Sequence, residues 1–347
     1  MSKADAAAAI LWVGATFYAL FGGADFGGGF WDLIAGGAER GERPRDLIQR
    51  SLTPVWEANH VWLIFILVVL WTAFPPAFSA VMTTLYVPIA LAGFGIVLRG
   101  AGFAFRKSVV GLSERRAAGA IFAISSLLTP FFMGTVVGAI ASGEVPADGY
   151  GAPFSSWLAP LPLLTGALFV ASGAYLSAVF LVGDACRAGE ADLERYFVRR
   201  ALAAATVAGA CALAGIFALH ADARYVFDRL VDQGLPLVIA SALCGLAVLA
   251  VLLGSMGRKR PNGGRNRPVG RGLLRPLSAG AVVAVVWGWG VAQFPYLLPT
   301  SLRIDQAAAP DPTLTVVFVV FGIAAVLVLP SLALLYTLSQ RDLLEHE

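Results

Sequence analysis

The chain has 347 residues, of which 58% are hydrophobic and only 14% charged, and its formal net charge is +3. Soluble globular proteins carry about 25% charged residues, so this composition excludes an ordinary soluble protein. The basic residues are spread over several loops, which argues against nucleic-acid binding. Apolar stretches of about 20 residues, long enough to cross a bilayer, recur along the chain and predict an all-α integral membrane protein.

About nine membrane-spanning helices are predicted, and they form a single polytopic membrane domain over residues 1–347. The predicted spans are residues 8–30, 53–74, 77–103, 117–142, 156–182, 198–220, 234–256, 273–296 and 313–338. The first is not expected to be a cleaved signal peptide, because it lacks a basic region beyond Lys3 and leads directly into a charged loop.

The basic residues predict how the helices are oriented in the membrane. Most of the 25 lysines and arginines lie in the loops that follow spans one, three, five and seven. Loops rich in basic residues stay on the cytoplasmic side of bacterial membranes. The N-terminus is therefore expected outside and the C-terminus in the cytoplasm, as nine spans require.

Charged residues of the first three spans lie at a similar depth, near the cytoplasmic face. Asp25 falls in the inner third of span one, Glu57 in the first turns of span two and Arg99 near the inner end of span three. A charged side chain at the centre of a membrane helix costs about 2.5–3.5 kcal/mol on insertion scales, so such groups usually face a protein interior or a water path. These three residues are therefore functional candidates.

The opening of span two reads Pro-Val-Trp-Glu-Ala-Asn-His-Val-Trp and carries further polar groups. Glu57 and His60 are three residues apart and share a helix face. Trp56 lies four residues before His60 and is also its neighbour, and Asn59 and Trp62 form a second pair beside them. The block thus combines a carboxylate, an amide and an imidazole at the mouth of a hydrophobic helix.

Two interpretations of these charges stay open on residue types alone. Chains of acidic groups and histidine pass protons through membrane proteins, which favours a relay. A structural ion pair of Arg99 with Asp25 or Glu57 would equally explain why the charges are kept. His60 is weak evidence for a metal or haem ligand, because no other histidine is spaced to join it.

The glycines around Asp25 do not indicate a nucleotide-binding loop, because no strand precedes them. Small residues let transmembrane helices approach closely, and the same interpretation holds for Gly134 and Gly138 in span four. A proton-coupled secondary transporter is the alternative from another functional class. Its signs would be an inverted repeat and interrupted helices at the midplane, whereas the sequence shows no clear repeat and its acids lie off the midplane.

Several motifs, in order, resemble subunit II of the cytochrome bd family of quinol oxidases. They are Gly-Ala-Asp-Phe-Gly-Gly-Gly at 23–29, the Trp-acid-x-Asn-x-x-Trp block at 56–62, Leu98-Arg99, Gly134 with Gly138, Gly-Val-Ala-Gln-Phe-Pro-Tyr-Leu at 290–297 and Leu329-Pro330. The resemblance runs from about residue 10 to residue 340, and the Trp-acid-x-Asn-x-x-Trp block is its most specific part.

The resemblance implies a fold of two four-helix bundles plus a peripheral helix. It also implies a heterodimer with a subunit I that carries the haems, of b and d type or of b type only, and to which small single-span subunits can attach. Subunit II itself holds no haem or metal but can hold a structural quinone. The complex passes electrons from quinol, ubiquinol or menaquinol, to oxygen in the respiratory chain of the bacterial inner membrane, and takes protons from the cytoplasm.

The resemblance also assigns roles to residues of this chain. Glu57 matches the carboxylate of the cytoplasmic proton path, and Asp25 matches the acid of the Asp-Phe/Met/Leu-Gly motif, with His60 in support. Arg99 would anchor the carboxylates, while the tryptophans and the asparagine of the span-two block would shape the site. Many members have a further acid where this chain has Gly22, so a relay through span one is weakened and Glu57 is favoured. A purely structural oxidase subunit is the nearest rival.

Overall fold

The protein is described by a computed structural model that covers residues 2–52, 56–108, 112–256 and 271–340. Its helices are α1 Lys3–Phe17, α2 Gly23–Leu33, α3 Ala38–Leu52, α4 Trp56–Ala73, α5 Pro75–Thr84, α6 Tyr86–Ser108, α7 Leu112–Ala141, α8 Pro160–Arg187, α9 Ala191–Asp222, α10 Arg224–Asp232, α11 Leu235–Met256, α12 Leu274–Gln293, α13 Ile304–Ala307 and α14 Asp311–Gln340. A π-helical turn, Tyr18–Gly22, joins α1 to α2, and a 3₁₀ turn, Arg271–Leu273, precedes α12. Two short antiparallel strands, β1 Tyr296–Leu298 and β2 Leu302–Arg303, form a hairpin.

The described segments confirm the predicted all-α membrane architecture. Eight of their helices are long and apolar enough to cross a bilayer, and the bent pair of α4 and α5 raises the number to as many as nine. A helix satisfies its backbone hydrogen bonds internally, which the hydrocarbon core requires. The predicted spans and the observed helices therefore coincide along most of the chain.

The structure differs from the predicted third span, residues 77–103. The chain bends by 118° between α4 and α5. Pro75 and Pro76 start α5, where the missing N–H of proline is tolerated. The crossing helix is α6, whose apolar part runs from Tyr86 to Phe105. The apolar composition continues through α5, so hydropathy does not mark the bend.

Span one lies at the centre of the first group of helices. Its α1 half packs on α4, and its α2 half packs on α7 and α8, while α6 packs on α7. Helices α8, α9, α11 and α12 form a second group, each packed on the next and α12 back on α8. Helix α14 packs on α1 and α4, with most of its surface exposed.

Glycines mark the closest helix contacts, as expected. A Cβ added at Gly134 would lie 2.7 Å from the Cα of Gly166, so α7 and α8 meet there backbone to backbone. At Gly27 an added Cβ would collide with the carbonyl of Gly173, where α2 crosses α8. Small residues thus bring α8 against both of its neighbours in the first group.

Ion pairs hold α3 across the end of span one that is expected in the cytoplasm. Arg45 Nε lies 3.1 Å from Asp32 Oδ1 at the end of α2. Arg43 Nη2 lies 3.0 Å from Glu190 Oε2, in the link between α8 and α9. These contacts place the polar helix α3 beside the ends of α2, α8 and α9.

Candidate functional site

An ion pair between Asp25 of α2 and Arg99 of α6 lies inside the protein. Arg99 Nη2 donates to Asp25 Oδ1 at 2.6 Å and to the Asp25 backbone carbonyl at 3.1 Å. Only 1% of the Arg99 side chain and 2% of the Asp25 side chain are exposed. Of the two carboxylates that the sequence offers to Arg99, the structure therefore joins it to Asp25.

Aromatic rings and a serine enclose the rest of the guanidinium group. Its central carbon lies 4.8 Å from the ring centre of Phe26 and 4.5 Å from that of Phe122. Arg99 Nη1 donates to the hydroxyl of Ser126, which donates in turn to the Phe122 carbonyl at 2.6 Å. The guanidinium is thus held by α2 and α7 as well as by its own helix.

Gly29 of α2 makes room for this arrangement. A Cβ at this position would collide with the Ser126 side chain and would lie 3.0 Å from Arg99 Nη1. Ser126 was missed by sequence reasoning because a serine inside an apolar helix is ordinary. Its only sequence signal is its position on the fourth span, at a depth comparable to that of Arg99.

Two polar atoms of the Asp25–Arg99 pair make no hydrogen bond to the described residues. Asp25 Oδ2 and Arg99 Nε are buried and have no hydrogen-bond partner in the described part of the chain. Buried polar atoms usually have a partner, so the second carboxylate oxygen is an acceptor position available to water or to a neighbouring donor. Taking two charges out of water is costly, and their attraction repays this cost only with good geometry and additional hydrogen bonds.

The π-helical turn places Tyr18 next to the ion pair. A Cβ added at Gly22 would lie 2.9 Å from the Tyr18 ring, so this ring covers the position where many relatives are expected to carry a further acid. The Tyr18 hydroxyl is buried without a hydrogen-bond partner among the described residues. The charges of Asp25 and Arg99 both act on it. Single π turns inside α-helices often occur at functional sites.

His60 of α4 belongs to the same region of the structure. Its imidazole is partly buried and experiences the charges of both Asp25 and Arg99. The π-helical turn packs directly on α4, which accounts for this proximity. The structure therefore brings together three of the predicted residues, one from each of the first three spans.

Trp62 packs α4 against α1. Its ring stacks on Phe17 with centres 4.4 Å apart and meets Phe65 edge-on at 6.2 Å, and only 8% of the residue is exposed. The role expected for Trp62 in shaping the site stays a prediction. The contact fixes the rotation of α4 about its axis and thereby the face on which His60 lies.

The remaining predicted residues are at the start of α4, where the side chains lie outside the described part of the structure. The helix backbone begins at Trp56, so Glu57 and Asn59 fall in its first turn. The role of Glu57, including its relation to Asp25, stays a prediction. Among the residues that are described, no group of three or more His, Cys, Asp or Glu side chains is arranged to hold a metal ion.

A family model described as cytochrome bd terminal oxidase subunit II matches residues 4–339. The putative cytochrome bd menaquinol oxidase subunit II of Bacillus subtilis is 22% identical over 97% of this chain and 95% of its own length. The cytochrome bd ubiquinol oxidase subunit 2 of Bacillus subtilis is 25% identical over 93% of this chain and 89% of its own length.

A third relative, cytochrome bd-I ubiquinol oxidase subunit 2 of Escherichia coli K12, is 26% identical over 62% of this chain and 57% of its own length. Among solved structures, a chain of the bd oxidase from Geobacillus thermodenitrificans matches with a TM-score of 0.79. The match covers 100% of both chains at 25% identity.

Proposed function

Since this chain belongs to the cytochrome bd terminal oxidase subunit II family, we propose that it is the haem-free subunit that supports subunit I and helps to deliver cytoplasmic protons for oxygen reduction. It is a multi-pass protein of the bacterial inner membrane and part of an oxidoreductase complex. Membership of this family argues against the alternative of a proton-coupled secondary transporter.

The observation that carries the proposal is the buried Asp25–Arg99 pair beside His60. Arg99 forms an ion pair with Asp25, so the carboxylate of Asp25 balances the positive charge of Arg99. Glu57 lies three residues before His60 on α4, so the two side chains share a helix face. A carboxylate locked in an ion pair exchanges protons less readily, and Asp25 is held in this way by Arg99, which favours Glu57 as the relay group.

In this mechanism a proton from the cytoplasm first protonates the Glu57 carboxylate at the opening of α4. His60, one helical turn further into the membrane, accepts and donates protons through its two ring nitrogens. Asp25 supports the transfer as a fixed negative charge, and its second oxygen Oδ2 can hold a water molecule. Trp56, Asn59 and Trp62 orient the side chains, and the route continues into the partner subunit.

Partner and cofactors are part of the same proposal. We infer a heterodimer with a subunit I that carries the haems, with quinol and oxygen as substrates of the complex and with small single-span subunits as further partners. The haem groups supply the electron transfer to oxygen. Purification of the chain from its native membrane, followed by a haem spectrum and by mass spectrometry of the associated proteins, tests this inference.

A candidate hydrogen-bond donor for a structural quinone lies between α1 and α12. The rings of Trp12 and Trp289 lie 4.9 Å apart between α1 and α12. The indole N–H of Trp289 is buried and has no hydrogen-bond partner in the segments that the structure describes. An indole N–H donates but does not accept, so this residue fits a quinone carbonyl. Extraction of the purified assembly and chromatography of the quinones tests the assignment.

The central experiment is the substitution Glu57→Gln, which keeps the shape of the side chain and removes its proton exchange. We expect quinol-driven oxygen consumption to fall at least about a hundredfold, which is the lower end of the range that general acid–base groups contribute. Assembly with the partner and the haem spectrum should stay as in the wild type. Turnover and spectrum are measured on the same purified assembly.

Two controls separate a proton role from a purely structural one. Glu57→Asp keeps a carboxylate and should retain most of the turnover. Glu144 is an exposed acid in the loop that follows α7, so Glu144→Gln should leave the turnover unchanged. Wild-type turnover in a fully assembled Glu57→Gln variant would contradict the relay and favour the purely structural subunit.

A further inference from the structure

Three arginines at the start of α9 surround a pocket on the surface. The pocket has a volume of about 290 Å³ and is lined by Asp192, Arg195, Tyr196, Arg199 and Arg200. It lies at the end of α9 that the distribution of basic residues assigns to the cytoplasm. It shares no residue with the proton route proposed above and does not depend on it.

The positive charge of this pocket is only partly balanced. Arg195 Nη2 lies 2.6 Å from Asp192 Oδ1, and both side chains are exposed. Neither Arg199 nor Arg200 forms an ion pair within 4 Å with any acid in the described ranges. Two guanidinium groups therefore line the pocket with no anionic partner among the described residues.

Aromatic rings hold Arg200 in place. Its guanidinium carbon lies 3.3 Å from the ring centre of Tyr196 and 5.9 Å from that of Trp31. Trp31 is itself fixed, because its indole N–H donates to the Ala174 carbonyl at 2.8 Å. Stacking on aromatic rings leaves the edge of a guanidinium group available for hydrogen bonds. Arg200 is thus oriented in advance for an anion.

An apolar stripe continues from the pocket along the outer face of α9. Its members follow Arg199 at helical spacing and are all exposed: Ala203, Val207, Ala210, Leu213 and Phe217. At 1.5 Å per residue the stripe reaches about 27 Å from Arg199 to Phe217. This exceeds the roughly 15 Å that one leaflet contributes to the hydrocarbon core. An acyl chain lying on the stripe would have its headgroup at the arginines.

We propose that the pocket and the stripe together bind an anionic phospholipid of the cytoplasmic leaflet, with its phosphodiester on Arg199 and Arg200. Arginine binds phosphate through two parallel hydrogen bonds, and basic pockets at the cytoplasmic ends of membrane helices suit acidic headgroups. Free phosphate would bind the same arginines, but it has no acyl chain to pack on the apolar stripe. The continuous stripe therefore favours a lipid.

The test is native mass spectrometry of the chain in the assembly purified from its own membrane, titrated with phosphatidylglycerol. Each arginine near an anionic lipid contributes a factor of about five to binding. We therefore expect Arg199→Gln/Arg200→Gln to weaken phosphatidylglycerol binding about thirtyfold. Arg199 is exposed, so Arg199→Gln alone should fold normally and weaken binding about fivefold.

Matched controls make the outcome decisive. Arg224→Gln/Arg303→Gln removes two exposed arginines beyond the other end of α9 and should change binding less than about twofold. Phosphatidylcholine with the same acyl chains should bind weakly to the wild type. Equal binding of both lipids, or an unaffected double variant, overturns the proposal. Displacement of the lipid by low millimolar inorganic phosphate, or a partner subunit seated on these arginines, overturns the lipid assignment as well.

Discussion

Asp25 and Arg99 illustrate how a membrane protein keeps two charges in its interior. The pair is neutral as a whole, its guanidinium lies between Phe26 and Phe122, and Ser126 accepts a further hydrogen bond. Each charge is tolerated only while the other is present, because an unpaired buried ion carries its full desolvation cost. The ion pair therefore links α2 to α6 and supplies a fixed negative charge near His60.

This interdependence can be measured by removing one or both partners. Arg99→Met leaves the Asp25 carboxylate buried and unpaired, and we expect it to cost about 3–5 kcal/mol of stability. The double variant Asp25→Leu/Arg99→Met removes both charges and should recover most of that loss. The stabilities of the wild type and of both variants are compared by thermal unfolding of the purified assembly.

The exposed pair Asp192–Arg195 provides the matched control for this measurement. Arg195→Met should cost less than about 1 kcal/mol, because exposed ion pairs contribute little. If the double variant at Asp25 and Arg99 proved as unstable as the single variant, the packing of Arg99 rather than its charge would be the stabilising factor.

At the scale of helices, the sequence patterns predicted the existence of most elements and missed local departures from regularity. The bend at Phe74 and the π turn at Tyr18–Gly22 lie within continuous apolar stretches. Hydropathy averages over about 19 residues, so a change of direction or one additional residue in a turn does not alter it. The π turn nevertheless places the Tyr18 ring over Gly22, directly before the helix that carries Asp25.

Close packing of α7 on α8 is the second property at this scale, and it can be tested at Gly134. We expect Gly134→Ala to destabilise the assembly by about 1–3 kcal/mol, because an added methyl group there meets backbone that cannot move away easily. The measurement is the thermal unfolding midpoint in detergent.

Gly209 of α9 is the control position. An added Cβ would meet no atom within 4 Å, so Gly209→Ala should be neutral or slightly stabilising because alanine favours the helix. Similar destabilisation at both glycines would show that conformational freedom, not close approach, explains Gly134.

At the scale of the whole molecule, the arrangement of helices is retained in a solved bd oxidase chain with a TM-score of 0.79 at 25% identity. Many apolar residues serve equally well in a lipid-facing or buried helix, so identity can be low while the fold persists. The expected orientation in the membrane rests on the positive-inside rule and on the nine spans predicted from the sequence.

The orientation can be tested by labelling single cysteines in intact cells with a membrane-impermeant maleimide. In a background in which Cys186, Cys211 and Cys244 are replaced by serine, we expect Tyr150→Cys to react, since Tyr150 is 87% exposed in the loop after α7. Glu42→Cys, on the exposed side of α3, should react only after the cells are opened. The reverse pattern would contradict the expected orientation and would also move the arginine pocket of α9 to the outside.

By itself the sequence determined the membrane class, the approximate spans and the family. These properties depend on composition, charge distribution and local spacing, all of which can be read directly from the sequence. Only the tertiary structure decided that Arg99 pairs with Asp25, that Ser126 and Gly29 complete this contact, and that Arg200 lies beside Trp31. Such contacts join residues far apart in sequence, and they depend on how each helix is rotated and how closely it approaches its neighbours.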